Sequence, residues 1–172
     1  MLMQPTQKAA RLISSVIRQR NQIMNDNIID SIELLEFGVF KKSQEQNFHE
    51  EDEDSPVGYY IRTKDIELLN QTSTIKAEVG TVFGIKYKLN SKQKGATAFF
   101  ECKIIHPEMV NPENNEIFTS TNEEKFNSVD DINFDFFEFE KPWEIKEGTW
   151  IFQIIEDDSL LLSKEFKIQK IV

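Results

Sequence analysis

The chain has a single cysteine, Cys102, so no internal disulfide forms and the core alone must hold the fold. That usage suits a reducing compartment, and the expected location is cytoplasmic. Histidine is nearly as scarce, with only His49 and His106. One cysteine and two histidines cannot complete a zinc motif of the usual spacing. No nucleophile elbow accompanies them, which leaves a histidine-based hydrolase without support. Gly80, Gly84 and Gly95 lie too far apart to cradle a phosphate, and no cofactor motif is present. No apolar run approaches the roughly 20 residues that span a bilayer. No continuous apolar segment near the start marks a secretory signal. Basic charge is also in short supply. A net charge of −10 argues against broad nucleic-acid binding and suits a basic partner.

The few bases are unevenly placed. Lys8, Arg11, Arg18 and Arg20 fall in residues 1–25, which contain no acid. There Ala9, Leu12, Ile13, Val16, Ile17, Ile23 and Met24 recur at steps of three and four, and Thr6 after Pro5 is placed to cap. The spacing predicts a basic amphipathic helix within residues 1–30. Its stripe is expected to pack on the domain or a second copy, or to dock a protein partner. Arg11 and Arg18 are then candidate contacts. A membrane-surface helix and a mitochondrial presequence are less favoured readings of the same segment. Met24 offers an internal start.

From Ser31 the apolar period changes to two. Leu35, Phe37 and Val39 alternate with Glu36 and Gly38. Residues 41–58 are polar, carry five consecutive acids from Glu50 to Asp54, and are expected to form a mobile loop. Phe83, Ile85, Tyr87 and Leu89 share one face of a strand, and Phe100, Cys102 and Ile104 share another. His106 to Glu116 reads as a loop with two prolines, followed by a short strand at 117–121. Residues 132–139 put aromatics on both faces. Trp150, Phe152 and Ile154 align on a late strand, and Leu162, Phe166 and Ile168 on its return. Cys102 is expected to be a buried structural thiol. His49 with Glu50, Glu51 and Asp52, and separately Asp130, Asp131 and Asp135, are weak candidates for divalent ions. Neither set has the spacing of a calcium loop, and solvated charge is the preferred reading. The triplet at 70–72 formally matches a glycosylation acceptor.

Three stretches, 72–89, 104–109 and 141–154, resemble a bacterial family of small domains of unknown function. The matching positions include Thr72, Ile75, Ala77, Gly80, Phe83, Gly84 and Tyr87, then Pro107, then Pro142, Trp143, Glu144, Gly148, Thr149, Trp150 and Phe152. Residues 32–40 look similar too, so the resemblance covers about 32–168. It implies a small β-sandwich and supplies no reaction or catalytic residue.

The expected architecture is all-β: a single immunoglobulin-like antiparallel sandwich over 31–172, preceded by the helix. The alternative is a closed eight-stranded barrel with a ligand cavity. Trp150 is assigned to the core. Trp143, in a turn after Pro142, is a candidate contact residue, as are Tyr59, Tyr60, Phe137 and Phe139 if they lie outside the core. The expected function is a non-catalytic protein-interaction module, with no nucleic acid as partner. The alternatives are a small-ligand-binding barrel and an enzyme using carboxylates alone.

Overall fold

The computed structural model describes residues 27–44, 47–53 and 55–170, together with Arg11, Leu12, Ser14 and Ser15. Its elements are β1 (Ser31–Lys42), β2 (Phe48–Glu51), β3 (Tyr59–Arg62), β4 (Ile66–Asn70), β5 (Thr74–Lys76), β6 (Val82–Asn90), β7 (Thr97–Val110), β8 (Ile117–Ser128), β9 (Ile132–Glu138), a 3-10 turn (Pro142–Glu144), β10 (Gly148–Glu156) and β11 (Ser159–Gln169). One sheet has the order β4-β1-β6-β9, the other β5-β11-β10-β7-β8, and β2-β3 stands apart as a hairpin.

The two larger sheets face each other because each strand keeps its apolar residues on alternate positions. Phe83, Ile85, Tyr87 and Leu89 of β6 meet Phe100 and Cys102 of β7, Trp150, Phe152 and Ile154 of β10, and Phe166 and Ile168 of β11. Phe83 packs edge-on against Trp150, with ring centres 5.5 Å apart. The Trp150 indole N–H donates to the carbonyl of Lys146 at 2.9 Å, so its polar edge is satisfied inside the core. The late-strand core is therefore as the sequence alternation predicts. At the other end, the Glu156 carboxylate accepts the backbone amides of Ile28 and Ile29, at 3.0 and 3.1 Å, and fastens the approach to β1.

Several expectations are corrected. Among the described residues the element order contains no α-helix, only the isolated helical positions Arg11, Leu12, Ser14 and Ser15, so the expected fold class of a sandwich preceded by a helix does not hold. Most of residues 6–25 lies outside the described residues. The closed barrel is also overturned, because the strands form two open sheets with β4, β9, β5 and β8 at their edges. Nor is the sandwich wholly antiparallel, since β5 pairs parallel to β11 through Ile75 and Ile168. The acidic stretch is not all loop: β2 pairs with β3 from Phe48↔Arg62 to Glu51↔Tyr59. β7 runs on through His106 and Pro107, with a register shift between Ile105 and Met109 where a loop was expected. Leu35 falls at a register shift between Leu34 and Glu36 and is exposed, while Phe37 and Val39 pack on the core. Among the described residues, no helix is long and apolar enough to cross a membrane.

Candidate binding cleft

β8 and β9 follow each other in the chain, yet they close opposite sheets. The sandwich is consequently open on that side. The hairpin β2-β3 leaves the sheet between Lys42 and Ile66 and roofs the opening. A backbone bond from the Ser43 N–H to the Asp65 carbonyl, at 2.9 Å, closes its base. The space enclosed is about 420 Å³. β8 and β9 form its walls, Cys102 and Ile104 lie at its floor, and Tyr59, Tyr60 and Arg62 contribute from the roof.

The cleft is polar at depth. Lys125 of β8 reaches across to Asp135 of β9 at 2.6 Å and donates to the Phe134 carbonyl at 2.9 Å. The Tyr87 hydroxyl donates to the other Asp135 oxygen at 2.7 Å. Burial works against the Lys125 charge, but Asp135 and Glu123 outweigh it and raise its pKa. Burial, then Asp135, pushes the Tyr87 hydroxyl up. Burial pushes the Cys102 thiol well up as well, which keeps it protonated and a poor nucleophile.

The roof is tied down by side chains. Arg62 bridges Glu50 of its own hairpin and Glu123 of β8. The Tyr60 hydroxyl donates to the Asn122 carbonyl. The Tyr59 hydroxyl donates to Glu140, which also faces His49 at 3.2 Å, and the His49 ring stacks on Tyr59 at 4.0 Å. Burial, then Glu140, raises the Tyr59 hydroxyl. Glu144 lies at the same end, and burial raises its carboxyl to about 7 although the Lys141 amide donates to it.

Of the candidate contacts, Tyr59 and Tyr60 are half-buried and line the cleft, and Phe137 lines it from the core side. Phe139 is fully buried against Phe83 and Trp150, so it belongs to the core and presents no surface. Trp143 is half-buried and packs against the core from the 3-10 turn, away from the cleft lining. Arg11 is exposed, with its guanidinium 3.9 Å from Asp52. Arg18 lies outside the described residues. The two histidines are not brought together. His49 sits in the roof, whereas His106 is buried beside Trp150, and burial lowers its pKa. Asp130 accepts the Gly95 amide while Asp135 turns inward, so that acidic set is dispersed. Among the described residues, no group of three His, Cys, Asp or Glu is arranged to hold a metal ion.

Sequence reasoning missed Lys125 and Arg62, and it singled out Asp135 only as a weak candidate for a divalent ion and not as the buried partner of Lys125. A signal for that pair was present: each member is a charge on the inward phase of its strand, of opposite sign, on successive strands. Buried charges occur as pairs.

The model of a family described as a domain of unknown function (DUF3859) matches residues 29–168. No curated protein matches the chain. Among solved structures, the chain is similar to an immunoglobulin-like protein from Pseudomonas aeruginosa. The two are 26% identical, with 83% of this chain and 95% of that chain covered and a TM-score of 0.56.

Proposed function

The chain belongs to the DUF3859 family of domains of unknown function, and we propose that it is a non-catalytic protein-interaction module that receives its partner in the cleft between β8 and β9. One observation carries this reading: an open side of the sandwich, roofed by a hairpin, encloses about 420 Å³ between two strand edges. Sites of this size and mixed chemistry take ligands. The charges at its floor are occupied with one another rather than arranged as a nucleophile and base. Cys102 is held protonated, and His106 lies elsewhere in the core. The buried thiol also suits work in the bacterial cytoplasm. Glu140 and Glu144 do share the cleft, and a carboxyl near pH 7 is the poise of a general acid. The commitment of Glu144 to the Lys141 amide favours a structural cap over that role.

A photo-crosslinking residue at Ile132, an exposed position on the cleft rim, tests the reading. The control position is Leu69, equally exposed on the far edge strand β4. Irradiation of producing bacterial cells should give protein adducts from Ile132 and not from Leu69. Adducts from Leu69 alone, or from neither, would sink it.

A further inference from the structure

The residues lining the cleft do not alternate. All seven of β9, from Ile132 to Glu138, border it, and so do five successive residues of β8, Glu123 to Asn127. A strand that presents its face contributes every second residue. A strand that contributes every residue presents its edge. The pairing agrees, for among the described residues β9 bonds only to β6, and β8 only to β7.

Edge strands expose backbone donors and acceptors, and two of these acceptors are satisfied by side chains of the chain itself. The Phe134 carbonyl takes Lys125, and the Asn122 carbonyl takes Tyr60. The Phe134 carbonyl therefore points into the cleft. In an antiparallel pair the N–H and C=O of one residue point the same way, and the direction repeats every second residue. Phe136 consequently turns its own N–H and C=O toward the cleft as well.

Charge narrows the occupant. Glu123, Glu138, Glu140 and Glu144 border the space, against the cations Arg62 and Lys125. Arg62 is already held by Glu50 and Glu123, Lys125 by Asp135, and Lys42 adds one cation at Glu138. Carboxylates remain in excess. The roof ring of Tyr60 already accepts a guanidinium, Arg62, at 5.5 Å from its centre.

We infer that the occupant is an extended segment of a partner protein bearing lysine or arginine, which pairs as an added strand with the cleft-facing edge of β9 at Phe136. This rests on the cleft being the docking site. A segment opposite seven strand residues spans roughly 20 Å and needs about six residues. Its backbone supplies the pairing, and its alternate cations meet Glu138 and Glu140.

The probe is an acetylated, amidated hexapeptide alternating lysine and valine, titrated into the full-length 15N-labelled chain. It should shift the amides of Phe134 and Phe136 and slow the hydrogen exchange of Phe136. Methylating the peptide nitrogens at alternate residues should weaken binding roughly tenfold, by removing the pairing donors. Glu138→Gln with Glu140→Gln should weaken it roughly fivefold, with the fold checked by circular dichroism. Replacing the lysines by glutamates should abolish it. Equal binding of the glutamate or methylated peptides, shifts confined to other surfaces, or full competition by spermidine at equal concentration would overturn the inference. Adducts at Ile132 combined with a failed titration would sink the strand alone. Failure of both would sink the docking site too.

Discussion

Lys125 and Asp135 meet 2.6 Å apart across the open side of the sandwich, each on the edge strand of a different sheet. The pair thus substitutes for the backbone ladder that a closed barrel would have there. Removing one member leaves a buried charge uncompensated, which costs more than the intact pair contributes. Lys125→Met should destabilise the fold by about 3–5 kcal/mol. Adding Asp135→Asn, which keeps an acceptor for Tyr87, should recover part of that loss. Urea midpoints of the three proteins give the answer. A double variant no more stable than Lys125→Met would refute the account.

Trp150 touches Phe83, Phe137 and Phe139 and is fully buried. Trp150→Ala should cost about 3–5 kcal/mol through the cavity left behind. Chemical denaturation measures it, and a midpoint within error of the original would contradict the packing described.

A Cβ on Gly84 would stand 2.0 Å from the Asp135 carbonyl oxygen, in the backbone of β9. Gly84 pairs directly with Phe136, so even Gly84→Ala must push β6 and β9 apart. The expected result is a loss of several kcal/mol, at the upper end for a single substitution, with accelerated amide exchange in β9. Normal exchange there would mean that the strands do not approach so closely.

Burial raises Glu144 to about 7 from its ordinary 4.5. Between those values the folded chain keeps a proton that the unfolded chain has lost. This group's contribution to stability therefore falls as pH rises through that window and is constant above about 7. Glu144→Gln removes the dependence. Relative to the original, the variant should gain stability from pH 4.5 to about 7 and then level off. Parallel stability curves across that range would exclude a raised Glu144.

The faces of the strands were legible because side-chain direction repeats every second residue. Phe83 to Leu89 and Trp150 to Ile154 were read onto the core in that way, and that is where they pack. The family resemblance over about 32–168 agrees with the match at 29–168. Partnership between strands was not legible, since no local pattern announces that β5 runs parallel to β11. Nor does alternation survive a register shift, which is why Leu35 was assigned to the wrong phase. Aromatics on both faces of β9 hid the fate of Phe139, which lies beyond the strand's end and folds back on Phe83. In the cleft, Tyr59 and Tyr60 stood out as spare aromatics. Lys125, Asp135 and Arg62 look like ordinary surface charge until β8, β9 and the hairpin are placed together.

The strand order has a consequence for synthesis on the ribosome. The sheet containing β1, β4, β6 and β9 is complete once Glu138 has emerged. Its partner sheet is not, because β10 and β11 occupy Gly148–Glu156 and Ser159–Gln169. Until they follow, β5 has no neighbour to join, and Phe83 and Ile85 face a half-built wall. Nascent chains at that length expose the apolar surface that draws chaperones and promotes aggregation. The last strands to be translated thus bring the interior to completion, and a chain that has emerged only as far as Glu147 would leave that apolar face uncovered.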